Sequence, residues 1–251
     1  MPKAVAVLVG LRKVDATAYG GWDGANGCWG CEQDVDNIAG VLGPLGYQVT
    51  VLKTENATRS SVTDALRAAT ELEEGDIFVF YYSGHGGQQP DQTGPQKDEL
   101  DGQDETLVLY DGELRDDSLN EIWLNVKSGV RLLMLSDSCN SGSNYKTTGT
   151  DITTPTPLAP VDAKAALRMQ GQLIHLGGCR DSTPSVGYAI GGLFTIALCT
   201  AWERGKFEGD YAFLHATICK LVTSERPSQQ PVYNEYGPVT SSFRGQKPFQ
   251  V

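Results

Sequence analysis

Two short apolar runs, each ending in small and polar residues, constrain the fold of this chain most. Residues 129–142 read GVRLLMLSDSCNSG, and residues 76–87 read DIFVFYYSGHGG. Neither run has a helical period, and such runs are typical of strands buried on both faces of a parallel sheet. Open α/β sheets bind ligands at the carboxyl ends of their strands. One run delivers Cys139 to that edge and the other delivers His85, so the sequence predicts a nucleophile–base pair there.

Strand-like and helix-like segments alternate along the rest of the chain, which predicts one α/β domain over residues 1–251 with a mostly parallel sheet. Apolar runs predict strands at 4–11, 47–52, 106–110, 172–177 and 231–236, with the strand that starts at 77 ending at His85. Helical periodicity predicts helices at 31–42, 117–126, 163–170, 193–204 and 211–222, and one capped by Ser60 or Ser61. Polar residues 88–105 are expected to form a surface loop. The Thr/Pro/Gly-rich residues 144–160 are expected to be a mobile segment between a part carrying His85 and Cys139 (1–143) and a C-terminal subdomain (161–251).

Composition excludes several classes of function. The formal net charge of -11 argues against a nucleic-acid partner. No apolar run approaches the length of a membrane helix, and the first residues lack a signal-peptide pattern, so we expect no membrane association and a cytoplasmic protein. The six cysteines are spread over the chain, unlike a dense disulfide framework.

Cys139 and His85 have the surroundings of a catalytic pair. An imidazole can turn a nearby thiol into the nucleophilic thiolate. The glycines around His85 leave the backbone free to approach a substrate, and the amides of Gly86 and Cys139 are candidates for an oxyanion hole. The alternative is a structural cysteine and an unrelated loop histidine. Because each residue directly follows a predicted buried strand, catalysis is the better interpretation.

These residues carry a family resemblance. YYSGHGGQ and, about fifty residues later, SDSCNSG resemble the His and Cys motifs of the caspase-like cysteine peptidases, specifically metacaspases and their bacterial, orthocaspase-like relatives. GCEQDVDNI, DELDGQDETLVLYD followed by RDDSL, and GGCRDSTPS match as well, whereas the QACRG of true caspases is absent. The resemblance implies a caspase-like αβα sandwich and a monomeric endopeptidase that cuts after Arg or Lys through a Cys139/His85 dyad. The competing classes are a catalytically silent scaffold or ligand-regulated sensor and a thiol oxidoreductase.

Asp34 and Asp137 are candidates for a substrate pocket. Both are predicted to lie at the same sheet edge as Cys139, where two carboxylates could bind a guanidinium. Asp34 alone could equally be a helix-dipole residue, common in a first turn. The resemblance favours the pocket and implies a peptide or protein substrate with a basic P1 residue.

Clustered carboxylates between 98 and 117 suggest either a solvated acidic surface or a calcium site. By resemblance, Asp104, Asp116 and Asp117 match three calcium ligands of calcium-dependent metacaspases, and Lys146 stands at the fourth position. We therefore expect that no cofactor is required, with calcium as a possible ligand.

Four further features have weaker signals. Cys28 and Cys31 form a CxxC with no second pair or His cluster nearby, which disfavours zinc. The motif follows a loop rather than opening a thioredoxin-like helix after a strand, which disfavours a redox role. His175 is expected to be a core histidine, and His215 with Cys219 to be a packing pair on a helix. Residues 144–168 offer Lys146, Lys164 and Arg168 as sites for self-cleavage.

Overall fold

The computed structural model describes residues 2–90, 103–139, 166–178 and 191–251, with the backbone alone for Pro90, Gln103, Asp104 and Cys139. Its strands are β1 (Ala4–Gly10), β2 (Gln48–Lys53), β3 (Ile77–Pro90), β4 (Gln103–Leu109), β5 (Gly112–Arg115), β6 (Arg131–Cys139), β7 (Gln172–Gly177) and β8 (Val232–Tyr236). Its helices are α1 (Cys31–Leu42), α2 (Arg59–Leu66), α3 (Asp116–Leu124), α4 (Leu193–Trp202), α5 (Tyr211–Glu225) and α6 (Ser241–Gly245), besides short 3₁₀ turns.

The central sheet has the order β2-β1-β3-β6-β7-β8, and every neighbouring pair is parallel except β7 with β8. All seven residues of β1 are apolar or glycine and six are buried, because helices cover both faces of the sheet. Alternate residues enter two cores: Val7 and Val9 pack with α2 and α3, and Ala6 and Leu8 pack with α1, α4, α5 and α6. The predicted α/β sandwich with a mostly parallel sheet is confirmed.

The predicted end of the third strand is wrong. β3 continues through His85 to Pro90, and its second half leaves β6 and pairs antiparallel with β4. Residues 88–90 and 103–105, expected in a surface loop, are therefore strand residues, and β5 forms a hairpin with β4 that the sequence did not predict. The glutamines and the glutamate in these segments give no hydrophobic alternation that would predict a strand. The antiparallel strands β3, β4 and β5 are identified instead by the pairing of their backbones.

Other elements agree with the sequence to within a few residues. The predicted limits of α1 and β7 are those of the structure, and β8 is the antiparallel edge strand. Helix α2 begins earlier than expected, because Thr58 is its N-cap residue. The Thr58 side chain accepts a hydrogen bond from the Ser61 N–H, and the Ser61 side chain accepts one from the Thr58 N–H, which forms a capping box. The segment 144–160 lies outside the described residues. Of the helix predicted at 163–170, residues 166–170 are described, and only Ala166 is helical.

Candidate active site

The register of β3 and β6 brings the two candidate catalytic residues together. Along this parallel pair, Ser83 lies opposite Asp137, and His85 lies opposite Cys139. Neighbouring strands in a sheet are about 4.8 Å apart. The backbones of His85 and Cys139 are therefore adjacent at the carboxyl edge, as the sequence predicts.

The ring of His85 is oriented by the loop that follows β1. Its Nε2 lies 2.8 Å from the carbonyl oxygen of Gly24, and the indole of Trp22 packs edge-on at 5.0 Å between ring centroids. Because a carbonyl oxygen only accepts, Nε2 carries a proton, which leaves Nδ1 as the basic nitrogen of a neutral imidazole. The Gly24 contact thus selects the tautomer of His85 that can accept a proton.

The electrostatic surroundings of His85 favour its charged form. Burial lowers the pKa of His85. A hydrogen bond between the ring and Cys28, the negative charge of the Cys28 thiolate and the hydrogen bond to the Gly24 carbonyl together outweigh burial and raise this pKa above its usual value. The pKa of His85 therefore lies above that of an ordinary histidine.

Gly84 is required by packing. A Cβ at Gly84 would lie 2.5 Å from the hydroxyl of Tyr82, which is itself 2.6 Å from the His85 carbonyl oxygen and 2.8 Å from that of Val108. Tyr82 thereby ties the backbone of His85 to β4. The sequence suggests that the glycines here give a substrate access to the backbone, and the structure adds this steric reason for Gly84.

The two candidate pocket carboxylates also meet. Asp34 in the first turn of α1 and Asp137 on β6 are 1% and 5% exposed, respectively. Asp34 accepts from Ser83 Oγ at 2.8 Å and from the amide of Gly192 at 2.8 and 3.0 Å. Asp137 accepts from both the amide (3.0 Å) and the hydroxyl (2.7 Å) of Thr195. Both carboxylates therefore lie against the N-terminus of α4, whose cap residue is Gly192.

Burial and mutual repulsion oppose ionisation of this acid pair. Burial, followed by the charge of Asp137, raises the pKa of Asp34 to about 7, and burial raises the pKa of Asp137 as well. The backbone amides at the N-terminus of α4 donate to the two carboxylates and offset this cost of ionisation only in part. A cation placed between the two carboxylates would relieve both terms.

Glycines 191 and 192 press directly on the acid pair. A Cβ at Gly192 would lie 2.3 Å from Asp137 Oδ2, and one at Gly191, whose φ is +130°, would lie 2.3 Å from Asp34 Oδ1. Sequence reasoning missed these glycines, Thr195 and the pocket role of Ser83. The only available signal was the small-residue pair GG directly before an apolar helix.

The calcium candidates are only partly described. Asp116 is buried and Asp117 half-buried at the start of α3, and Asp116 Oδ1 accepts from the amide of Asp117. Asp104 belongs to β4, where its backbone lies opposite Gln89. Among the described side chains, no group of three His, Cys, Asp or Glu is arranged to hold a metal ion. Oxygen donors of this kind suit calcium, so Asp116 and Asp117 fit such a site chemically. Asp98, Asp101 and Lys146 lie outside the described residues.

The CxxC lies at the junction of the loop after β1 with α1, as the predicted limits of that helix imply. Cys31 is the first residue of α1, and its amide donates to the carbonyl oxygen of Cys28 at 3.4 Å. The two histidine features agree with their predictions. His175 is buried with its Nε2 2.9 Å from Ser136 Oγ, and burial lowers its pKa to about 3, so it is a neutral core histidine. His215 and Cys219 pack together, 3.3 Å apart, beside the carbonyl of Pro231.

A model of the caspase domain matches residues 3–239, so the chain belongs to the caspase-domain family of cysteine peptidases. Among curated proteins it is similar to Metacaspase-1 of Schizosaccharomyces pombe, with 34% identity over 156 residues (56% of this chain and 34% of the relative). Metacaspase-1A of Aspergillus oryzae is 38% identical over 130 residues (45% of this chain and 30% of the relative). The matched region thus spans about a third of each of these relatives.

Solved structures agree on the fold. A crystal structure of a protein from Geobacter sulfurreducens aligns over 100% of this chain and 99% of its own, with a TM-score of 0.82 and 35% identity. Caspase-1 from Spodoptera frugiperda aligns over 95% and 90%, with a TM-score of 0.60 and 15% identity, which shows the fold alone. The fold is therefore caspase-like, and the chain has metacaspase homologues. No helix in the described ranges is long and apolar enough to cross a membrane.

Proposed function

We propose that the protein is a metacaspase-type, orthocaspase-like endopeptidase that cleaves peptide bonds after Arg or Lys, with Cys139 as nucleophile and His85 as general base and acid. The observation that carries this proposal is the β3–β6 register, which sets Cys139 opposite a histidine whose tautomer is selected by Gly24. Membership of the caspase-domain family supports the same reaction class.

In the proposed reaction, His85 takes the thiol proton of Cys139, and the thiolate attacks the carbonyl carbon of the scissile bond. The amides of Gly86 and Cys139 would donate to the resulting oxyanion. Gly86 directly follows His85, at the point where β3 turns from β6 to β4. His85 then protonates the leaving amine, and a water activated by His85 hydrolyses the acyl-enzyme.

The preference for Arg or Lys rests on the acid pair. Asp34 and Asp137 lie on the same edge as Cys139, and Asp137 precedes it by two residues in β6. Two buried carboxylates, one with its pKa raised to about 7, gain most from a cationic partner. A P1 aspartate would add a third negative charge. The pocket chemistry therefore supports basic and opposes acidic P1 side chains.

The remaining setting is part of the proposal. We propose a cytoplasmic monomer that acts on peptides or proteins, needs no cofactor for the chemical step and binds no nucleic acid, consistent with a net charge of -11. Calcium, if bound near Asp116 and Asp117, would neutralise their charge and order the start of α3. Light scattering of the purified chain tests the monomer directly.

The decisive experiment compares Cys139→Ala with Cys219→Ala, since Cys219 is a half-buried thiol far along the chain on α5. Both variants and the parent protein are assayed with fluorogenic peptides that differ only in P1 (Arg, Lys, Asp). We expect Cys139→Ala to lose cleavage at an unchanged circular dichroism spectrum and Cys219→Ala to keep it. Cleavage by Cys139→Ala at the parent rate would refute the dyad, and efficient cleavage after Asp would refute the pocket.

A further inference from the structure

Cys28 and Cys31 stand at the two ends of one backbone turn, and both are free, buried cysteines. The bond from the Cys31 amide to the Cys28 carbonyl oxygen closes a turn with one cysteine at each end. The ends of such a turn lie within about 7 Å of each other, and disulfides span Cα distances of about 4.4–6.8 Å. The two thiols also hydrogen bond to each other. Little backbone movement would therefore be needed to join them.

The two thiols differ in reactivity. The pKa of Cys28 is lowered, first by a hydrogen bond with Cys31 and then, against the opposing effect of burial, by one with His85. The pKa of Cys31 is raised, first by the hydrogen bond with Cys28 and then by burial. Only thiolates are good nucleophiles. Cys28 is thus the thiol that reacts first, and Cys31 is placed to resolve the product.

The position of Cys28 links this pair to the candidate active site. Cys28 hydrogen bonds the imidazole of His85, and the loop that carries it also supplies the Gly24 carbonyl that holds Nε2. Both cysteines are buried, with 3% and 8% exposure, so only a small oxidant reaches them. Cys28 lies in the loop between β1 and α1, which is neither helix nor strand and is closed mainly by turns, and such segments open more readily than helices or strands.

We propose that Cys28 and Cys31 form a redox-active modification site that a hydroperoxide converts into a disulfide, and that this oxidation changes the protonation of His85. The Cys28 thiolate attacks one peroxide oxygen, the O–O bond breaks, and Cys28 becomes a sulfenic acid as the other oxygen leaves as hydroxide or alkoxide and takes up a proton. The Cys31 sulfur then attacks the Cys28 sulfur and displaces the sulfenic oxygen as water. The two sulfurs lose two electrons, and the peroxide is reduced to water and its alcohol, or to two waters for hydrogen peroxide.

Oxidation has a defined effect on His85. The disulfide has no ionisable thiol, so the interaction that raises the pKa of His85 is lost while burial remains. The pKa of His85 therefore falls, and the imidazole is neutral over a wider pH range. This inference goes beyond the proposed peptidase function and does not depend on it, because Cys139 takes no part in the step.

The test uses Cys139→Ala, which removes the neighbouring strand-end thiol. The protein is treated with hydrogen peroxide, alkylated with N-ethylmaleimide and digested with trypsin. Peptide 14–53 contains Cys28 and Cys31 and no other cysteine. We expect it to lose two hydrogens and take up no alkyl group after oxidation, and to take up two after reduction with dithiothreitol. In Cys139→Ala/Cys31→Ser, dimedone should label Cys28, whereas Cys139→Ala/Cys219→Ser should behave as Cys139→Ala.

The second readout is the titration of the His85 ring by NMR, assigned with His85→Ala. Its pKa should be lower in the oxidised than in the reduced protein, while His175 and His215 should not respond. Double alkylation of peptide 14–53 after exhaustive peroxide treatment, or a disulfide from Cys28 to another cysteine, would overturn the pairing. A disulfide without a change in the pKa of His85 would overturn its link to the active site. Neither readout measures cleavage, so the result is separable from a failure of the proposed function.

Discussion

Replacing Asp34 with asparagine should make the free protein more stable at alkaline pH. Burial and the charge of Asp137 raise the pKa of Asp34 from 3.8 to about 7. A carboxyl whose pKa is higher in the folded than in the unfolded state stabilises the fold fully at acid pH, and this contribution is lost as the pH rises through the folded value. At 1.36 kcal/mol per pKa unit, ionised Asp34 costs about 4 kcal/mol, of which about 2.5 kcal/mol accrues between pH 5 and pH 8.

The asparagine keeps most of the local geometry. Its oxygen can still accept from Gly192, and the hydroxyl of Ser83 can turn to accept from the new amide. Subtracting about 1–2 kcal/mol for one weakened hydrogen bond leaves a net gain of about 2 kcal/mol at pH 8 and little change near pH 5. Chemical denaturation of Cys139→Ala and Cys139→Ala/Asp34→Asn at both pH values measures the difference.

Asp36→Asn is the matched control. Asp36 lies on the same helix, is exposed and pairs with Lys53 at 2.7 Å, so its loss should change stability by less than about 1 kcal/mol at either pH. If Asp34→Asn destabilises the protein equally at pH 5 and pH 8, the carboxylate is not strained and the pocket argument fails.

Three further outcomes are expected. Thr195→Val should destabilise the fold by about 2 kcal/mol, because the buried carboxylate of Asp137 loses a hydroxyl donor at 2.7 Å and the Tyr81 hydroxyl loses its acceptor. Thr195→Ser keeps the hydroxyl and should not destabilise the fold, so equal denaturation midpoints for the two variants would contradict this. Peptide cleavage should survive chelation at least in part and Lys146→Asp should strengthen calcium dependence; complete loss in chelator, restored by calcium, would show that the remaining carboxylates suffice. Intact-mass spectrometry should reveal cuts between 144 and 168 in the parent protein and none in Cys139→Ala, and identical single masses would rule out self-cleavage.

The sequence could predict the elements whose patterns arise from burial on both faces. β6 and β7 are apolar because helices cover both sides of the sheet, and α1 shows its inner face through Val35 and Ile38. The carboxyl ends of parallel strands share one edge of a sheet, so the two strand-end motifs alone suffice to pair His85 with Cys139.

What the sequence could not predict depends on backbone pairing and on contacts between distant segments. The polar end of β3 is a strand only because β4 pairs with it, and no hydrophobic period records that pairing. The contact of Thr195 with Asp137 joins residues 58 positions apart. The link from Cys28 to His85 was missed for a similar reason: it joins a residue of the loop after β1 to a residue of β3, and no local pattern records that contact.

The raised pKa values give the proposed pocket a thermodynamic rationale. A free protein that holds two carboxylates against each other carries an electrostatic cost that the N-terminus of α4 offsets only in part. A guanidinium placed between them would exchange that repulsion for two charge-assisted attractions, so part of the cost of burying the acids would return as binding energy. An uncharged or acidic side chain would recover none of it. Selectivity for a basic P1 residue would then arise as much from the instability of the empty pocket as from contacts in the filled one.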